Sequence, residues 1–202
     1  MIKNYLINSI IKRLLTNKKI SFELVSRKLK FYGISITKEV FDKRIKDLIL
    51  DNKVKINSND VEIYTEMWTK EACAKYSDKL FVFGDNTQRN GTGGQAVIRK
   101  CINSIGIATK FLPSTADEAF FSDKDYIAIK PIIDRDILEI KLKFFTNNYD
   151  KLVLGKDGYG TGYARLYEKA PLIFQYLNKR LKEEFDFDNA GSIHKITKKN
   201  GI

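Results

Sequence analysis

Two stretches of the chain combine glycine, amide and carboxylate side chains in a pattern suited to holding an anion. The first, F-V-F-G-D-N-T-Q-R-N-G-T-G-G-Q-A over residues 81–96, runs from an apolar strand-like segment ending at Gly84 into Asp85 and Asn86. It continues through Gly91, Thr92, Gly93 and Gly94 to Gln95. The second, L-V-L-G-K-D-G-Y-G-T-G-Y over residues 152–163, sets Gly155, Gly158, Gly160 and Gly162 in four of eight positions, with Asp157, Tyr159, Thr161 and Tyr163 around them. Glycine lets backbone N–H groups approach an anion closely, and a helix starting just beyond adds a favourable dipole. Neither loop has the spacing G-x-x-x-x-G-K-[ST] or G-x-G-x-x-G. Two such loops, each at a strand-to-helix junction, could clamp a diphosphate from both sides. Asp85 and Asp157 are the candidate general bases. Lys100, expected on a helix after the first loop, is a candidate nucleophile if its amine is held neutral, and a solvated side chain if it is not. Lys110 and Lys156 could serve as phosphate counter-charges. Phe120, Phe121, Tyr159 and Tyr163 flank the loops and could either stack on a base or pack in the core.

The elements that must position these loops read as alternating strands and helices. Residues 80–84, 105–112 and 151–155 are strand-like, whereas 95–104, 131–148 and 164–185 are helical, with Pro171 expected to kink the last run. That alternation predicts an α/β domain over residues 79–185, a mostly parallel sheet flanked by helices, with the ligand outside the carboxyl ends of the strands. Ahead of it, residues 1–65 show three helical patterns, the second with Ser21 as N-cap and the third following Thr37, and then Val54-Lys55-Ile56 and Val61-Glu62-Ile63 around a turn-rich Asn57-Ser58-Asn59-Asp60, expected as a β-hairpin. Three helices and a hairpin resemble a small winged-helix α+β domain, which implies a DNA or protein partner. Residues 66–78 read as a linking helix. Residues 186–202 read as a flexible polar tail, in which His194 is given no role.

Composition narrows the class. The chain has 202 residues, 43% hydrophobic and 30% charged, with a net charge of +11. Residues 1–66 carry 14 Lys/Arg against 8 Asp/Glu, leaving +6 there and +5 in the remainder, so both parts are basic. Such a surplus suits nucleic acid or anionic nucleotides, although a lysine-, asparagine- and isoleucine-rich bias inflates it. No apolar run reaches the roughly 20 residues of a membrane span, and the N-terminus has no signal-peptide cleavage pattern. Two cysteines, Cys73 and Cys101, are too few for a disulfide framework or a zinc site, so a cytoplasmic setting with no metal and no cofactor is expected.

The series VFGDN…GTGGQA, IGIATK…PS…FFSD and KDGYGTGYARL…AP…F.YL, spanning about residues 78–180, resembles the macrodomain (ADP-ribose-binding) superfamily, and more closely a compact macro-like family of bacteria and their phages. The resemblance implies a macrodomain-like fold that binds ADP-ribose or a related NAD-derived nucleotide. It implies Asn86 at the distal ribose beside Gly84, Gly91, Thr92, Gly93, Gly94 and Gln95, and Gly158, Tyr159, Gly160, Thr161, Gly162 and Tyr163 around the phosphates. Asp85 is the nearest counterpart of the acid that meets the adenine amino group. One hydrolase branch of the superfamily pairs a lysine after the first loop with an acid in the second, which would be Lys100 and Asp157. The implied activity is therefore binding or ADP-ribosyl-linkage hydrolysis. The alternative is a non-enzymatic phage-type counter-defence or regulatory protein that sequesters a nucleotide signal or inhibits a partner.

Overall fold

Four short apolar segments assemble into one sheet whose strands all run in the same direction. They are β1 (Val61–Tyr64), β2 (Lys79–Asn86), β3 (Ser104–Lys110) and β4 (Lys151–Gly155), in the spatial order β1-β4-β2-β3. The computed structural model describes residues 2–16, 21–51 and 54–189. Successive side chains of a strand point to opposite faces, and here both faces are apolar. Leu80, Val82, Leu152 and Leu154 face a large core with Ile107, α5 (Tyr126–Thr146) and α7 (Pro171–Phe185). Phe81, Phe83 and Val153 face a smaller one with Cys73 of α4 (Lys70–Lys75), Ala96, Ile98 and Trp68. Burial on both faces is what a parallel sheet requires, and it bears out the expected mixed α/β architecture at this level.

Three further helices precede the sheet: α1 (Ile2–Thr16), α2 (Phe22–Lys30) and α3 (Lys38–Leu50). Ser21 caps α2 as expected, and Thr37 caps α3, their hydroxyls accepting the amides of Leu24 and Val40 at 3.1 and 3.4 Å. The helices bury Ile11, Leu15, Val25, Leu29, Phe41 and Ile45 among themselves, and α3 packs on α5.

Several expectations change. The hairpin at residues 54–63 does not form. Val54 and Ile56 are buried without joining a strand, Ser58–Asp60 makes a single 3-10 turn, and Val61–Tyr64 is drawn into the main sheet as its outer strand beside β4. Residues 61–64 therefore belong with the α/β unit. The reason is pairing: an isolated two-stranded hairpin is marginal, whereas β4 offers a complete ladder. The linking helix over 66–78 shrinks to Lys70–Lys75, started by Thr69, whose hydroxyl accepts the Ala72 amide at 3.0 Å. The C-terminal helical run is divided at Pro171 into α6 (Leu166–Lys169) and α7, because proline has no amide to continue the ladder. The tail is ordered through Asn189, with Phe187 and Asn189 buried; the remainder, including His194, lies outside the described residues. No described helix is long and apolar enough to cross a membrane.

Helices α5 and α7 are joined by a buried ion pair, Lys141 Nζ to Glu184 Oε2 at 2.6 Å, with Arg180 also 3.2 Å from Glu184. Removing one partner of such a pair strands a charge in the core. The substitution Glu184→Leu is expected to lower the unfolding free energy by about 3–5 kcal/mol in urea titration. The double change Lys141→Met/Glu184→Leu should restore most of it. Equal losses in the single and double variants would contradict this account.

Candidate functional site

The two glycine loops leave adjacent positions at one edge of the sheet, from the carboxyl ends of β2 and β4, and they touch. Gln95 links them: its Oε1 accepts the Gly84 amide at 2.7 Å, and its Nε2 donates to the Gly158 carbonyl at 3.4 Å. Farther out, a Cβ at Gly94 would lie 3.5 Å from the Tyr163 ring, so Tyr163 covers the first loop's last glycine. The two loops therefore meet, and the Gln95 side chain occupies their junction.

A buried carboxylate organises the first loop. Asp85 is 5% exposed and receives the Arg99 guanidinium in a two-pronged ion pair, through Nη2 to Oδ1 and through Nη1 to Oδ2 at 2.7 Å. The same guanidinium lies 5.3 Å from the Phe83 ring and donates to the carbonyls of Gly91 at 2.7 Å and Asn90 at 2.9 Å. Arg89 spans Asp85 and Asp136 of α5, whose other oxygen accepts the Ala108 amide of β3 at 2.8 Å. Burial opposes the charge on Arg89, but Asp136 and Asp85 outweigh it and hold its pKa above the ordinary value. Arg89 adopts φ 55°, a left-handed conformation kept by these ion pairs. Gly106 makes room for the carboxylate: a Cβ there would sit 2.7 Å from the Asp85 Cβ.

Beside this network Asn86 is 4% exposed. Its Nδ2 donates to the Asn90 carbonyl at 2.8 Å, while its Oδ1 is buried with no hydrogen-bond partner among the described residues. A buried acceptor left unpaired is uncommon in a folded protein and calls for a partner.

The second loop is braced from behind. Tyr159, 1% exposed, turns away from the edge into the core, where its hydroxyl donates to the Val82 carbonyl at 3.0 Å. It is therefore a core anchor and not a base-stacking group, and burial pushes its phenol pKa up. Asn189, 1% exposed, pairs with both backbone groups of Tyr159, accepting from its amide at 2.6 Å and donating to its carbonyl at 3.0 Å, while Phe187 packs on the ring at 5.9 Å. Thr161 donates its hydroxyl to the Asp157 carbonyl. Gly160 takes φ +79° with Leu166 against it, so a side chain there is both strained and blocked, 2.7 Å from the Leu166 Cβ. The amides of Gly160, Thr161, Gly162 and Tyr163 make no hydrogen bond to any described residue. Beside them lies a groove of about 420 Å³ lined by Thr115, Phe120, Gly162, Tyr163 and Arg165. Lys110 and Lys169 flank its floor, 5.8 and 5.6 Å from the Phe120 ring, and burial lowers the Lys110 pKa.

The remaining candidates are dispersed. The helix expected over 95–104 is a 3-10 segment, Gly94–Ile98, too short to supply a helix dipole, and Lys100 sits exposed on the turn after it. Asp157 and Lys156 are exposed on the second loop, and Gly91, Thr92 and Gly93 are exposed on the first. Phe121 is core, its ring 4.6 Å from Phe111, whereas Phe120 lines the groove. Sequence reasoning missed Arg89, Asp136 and Asn189 as site-positioning residues. A polar side chain carries no mark in the sequence of a partner distant along the chain. Arg99 had a clue in its position a short way beyond Asp85. Among the described residues no cluster of His, Cys, Asp or Glu could hold a metal ion.

Residues 63–180 match a family of unknown function (DUF7831), more than half of the chain, and the chain belongs to that family. The matched region runs from β1 to α7, contains both loops and leaves out the three N-terminal helices. No curated protein and no solved structure matches the chain.

Replacing Arg99 by Met leaves Asp85 buried with only the more distant Arg89 to neutralise it. A loss of about 3 kcal/mol or more in unfolding free energy is expected. Guanidinium titration of the two proteins measures it, and a change below about 1 kcal/mol would show that Asp85 does not depend on Arg99.

Proposed function

We propose that the chain binds a nucleotide carrying a diphosphate, ADP-ribose or a related NAD-derived nucleotide, in a macrodomain-like manner at the carboxyl edge of β2 and β4. The observation that carries the reading is the meeting of the two loops across Gln95 and Tyr163, beside four backbone amides that no described residue engages. Backbone amides in glycine-rich turns form concave anion sites. The groove beside Tyr163 has the volume for a ring, and Lys110 beside it favours an anionic ligand, whereas Arg165 and Lys169 are engaged by Glu168 and Asp117. The order of motifs along residues 78–180, similar to that of macrodomains, supports the same ligand class.

Binding without turnover is favoured over hydrolysis. Asp85, the carboxylate at the strand end, has its oxygens taken up by Arg99, Arg89 and the Asn86 amide, and so does not serve as a free general base. Lys100 is exposed on a turn rather than desolvated beside an acid. On this reading the protein reads or sequesters an NAD-derived nucleotide.

Thermal denaturation with added ADP-ribose tests the proposal. At about 100 times its dissociation constant a ligand adds about 2.7 kcal/mol, which for a chain of this size raises Tm by roughly 5–10 °C. Gly162→Glu, at an exposed glycine with open space around it, sets a carboxylate beside the amides without strain and should remove the shift while leaving the unliganded Tm in place. A Tm that stays flat through millimolar ADP-ribose, ADP and NAD overturns the proposal.

A further inference from the structure

We propose that the turn joining α2 to α3 is a docking surface for single-stranded nucleic acid. The inference stands on different residues from the nucleotide site and does not depend on it. Phe31 is 86% exposed and Tyr32 57% exposed, their rings 5.3 Å apart and edge to face. Two large aromatic side chains side by side in water are costly unless something covers them. The turn that presents them is well defined. Phe31 continues α2 with helical φ and ψ, Gly33 closes the helix at φ +68°, and Ile34 returns to the core, its amide donating to the Leu29 carbonyl at 3.0 Å.

The charge around the rings says what covers them. Because Phe31 extends the helix, Arg27 and Lys28, four and three residues earlier, share its face, and both are exposed, as is Lys30. From Leu24 to Lys38 the chain carries four cations, Arg27, Lys28, Lys30 and Lys38, and no acidic residue. Lys38 is engaged by Asp42 at 2.6 Å, which leaves Arg27, Lys28 and Lys30 as the phosphate-facing group. Aromatic faces beside a basic track are the chemistry that holds single strands: bases stack on the rings while phosphates follow the cations. A duplex hides its base faces and gains nothing from exposed rings. A membrane or a second copy of the chain would call for a broader apolar patch than two rings flanked by the exposed Gly33 and Ser35. Helix α3, the expected recognition helix, is a poorer candidate, since Glu39, Asp42 and Asp47 alternate with its four cations.

Fluorescence anisotropy with the full chain and labelled oligonucleotides of about 15 nucleotides, as single-stranded DNA, single-stranded RNA and duplex DNA at ~50 mM salt, decides the matter. Single strands should bind more tightly than the duplex, with affinity falling as salt rises, and the DNA and RNA arms identify which is preferred. Phe31→Ala/Tyr32→Ala should weaken single-strand binding about tenfold or more, with an unchanged melting temperature and an unchanged response to ADP-ribose. Arg27→Gln/Lys28→Gln should flatten the salt dependence. The proposal fails if no single strand binds, if the duplex binds as well, or if the aromatic double variant binds undiminished. It also fails if that variant instead abolishes self-association in sedimentation or adsorption to anionic vesicles.

Discussion

A carboxylate held out of water at the end of a central strand must be neutralised, and much of the α/β unit is arranged around meeting that requirement for Asp85. Arg99 reaches it over the Phe83 ring, and in doing so gathers the carbonyls of Asn90 and Gly91, which fixes the course of the first loop. Arg89 carries the same charge balance across to Asp136 on α5, and Asp136 closes the edge of β3 by accepting the Ala108 amide. One buried anion thus couples a strand end, a loop and a helix. The arrangement is rigid because each oxygen and each guanidinium has a partner, and buried polar groups of this kind tolerate no half-satisfied state.

That rigidity bears on what the edge of the sheet can do. Charges committed to one another are poor acids and bases, but they hold a loop in one shape, and a preformed shape lowers the entropy lost on binding. The second loop is stiffened by different means. Tyr159 is anchored under the strands, and Asn189 grips its peptide from the far side, so that the C-terminal segment and the loop behave as one piece. Between the two loops lies Gln95, an uncharged bridge, and beside it the amides of Gly160 to Tyr163 are engaged by no described residue.

The three N-terminal helices are built on other principles. They pack on one another through apolar contacts, with α2 and α3 capped by Ser21 and Thr37, and fasten to the α/β unit through α3 and α5, while an aromatic, basic turn between α2 and α3 stays exposed. The family match begins at residue 63, inside β1, so the helices lie beyond what the family shares with this chain. A ligand edge on one unit and a basic aromatic turn on the other would give the protein two anionic partners of different size.

The strands were legible because a buried parallel strand is a short, mainly apolar run: residues 80–84 and 151–155 are apolar runs closed by glycine, and 105–112 is a mainly apolar, β-branched segment. The helix start at Ser21 and the break at Pro171 were legible for the same reason: capping and the missing proline amide act within a few residues. The glycine loops could be found, and so could Asn86, but not the state of Asp85 or Tyr159. Whether a carboxylate is free or locked depends on Arg99, Arg89 and Asp136, and whether a tyrosine lines a groove or a core depends on Val82 and Asn189, up to 77 residues away. Val61–Tyr64 shows the same limit. Its alternation fits a hairpin or a sheet edge equally well, and only the open ladder of β4, about 90 residues later, decides between them. Local conformational preference is written in the sequence; the pairing of charges and strands across the chain is settled by tertiary structure, because those energies exist only once distant groups share the same dry space.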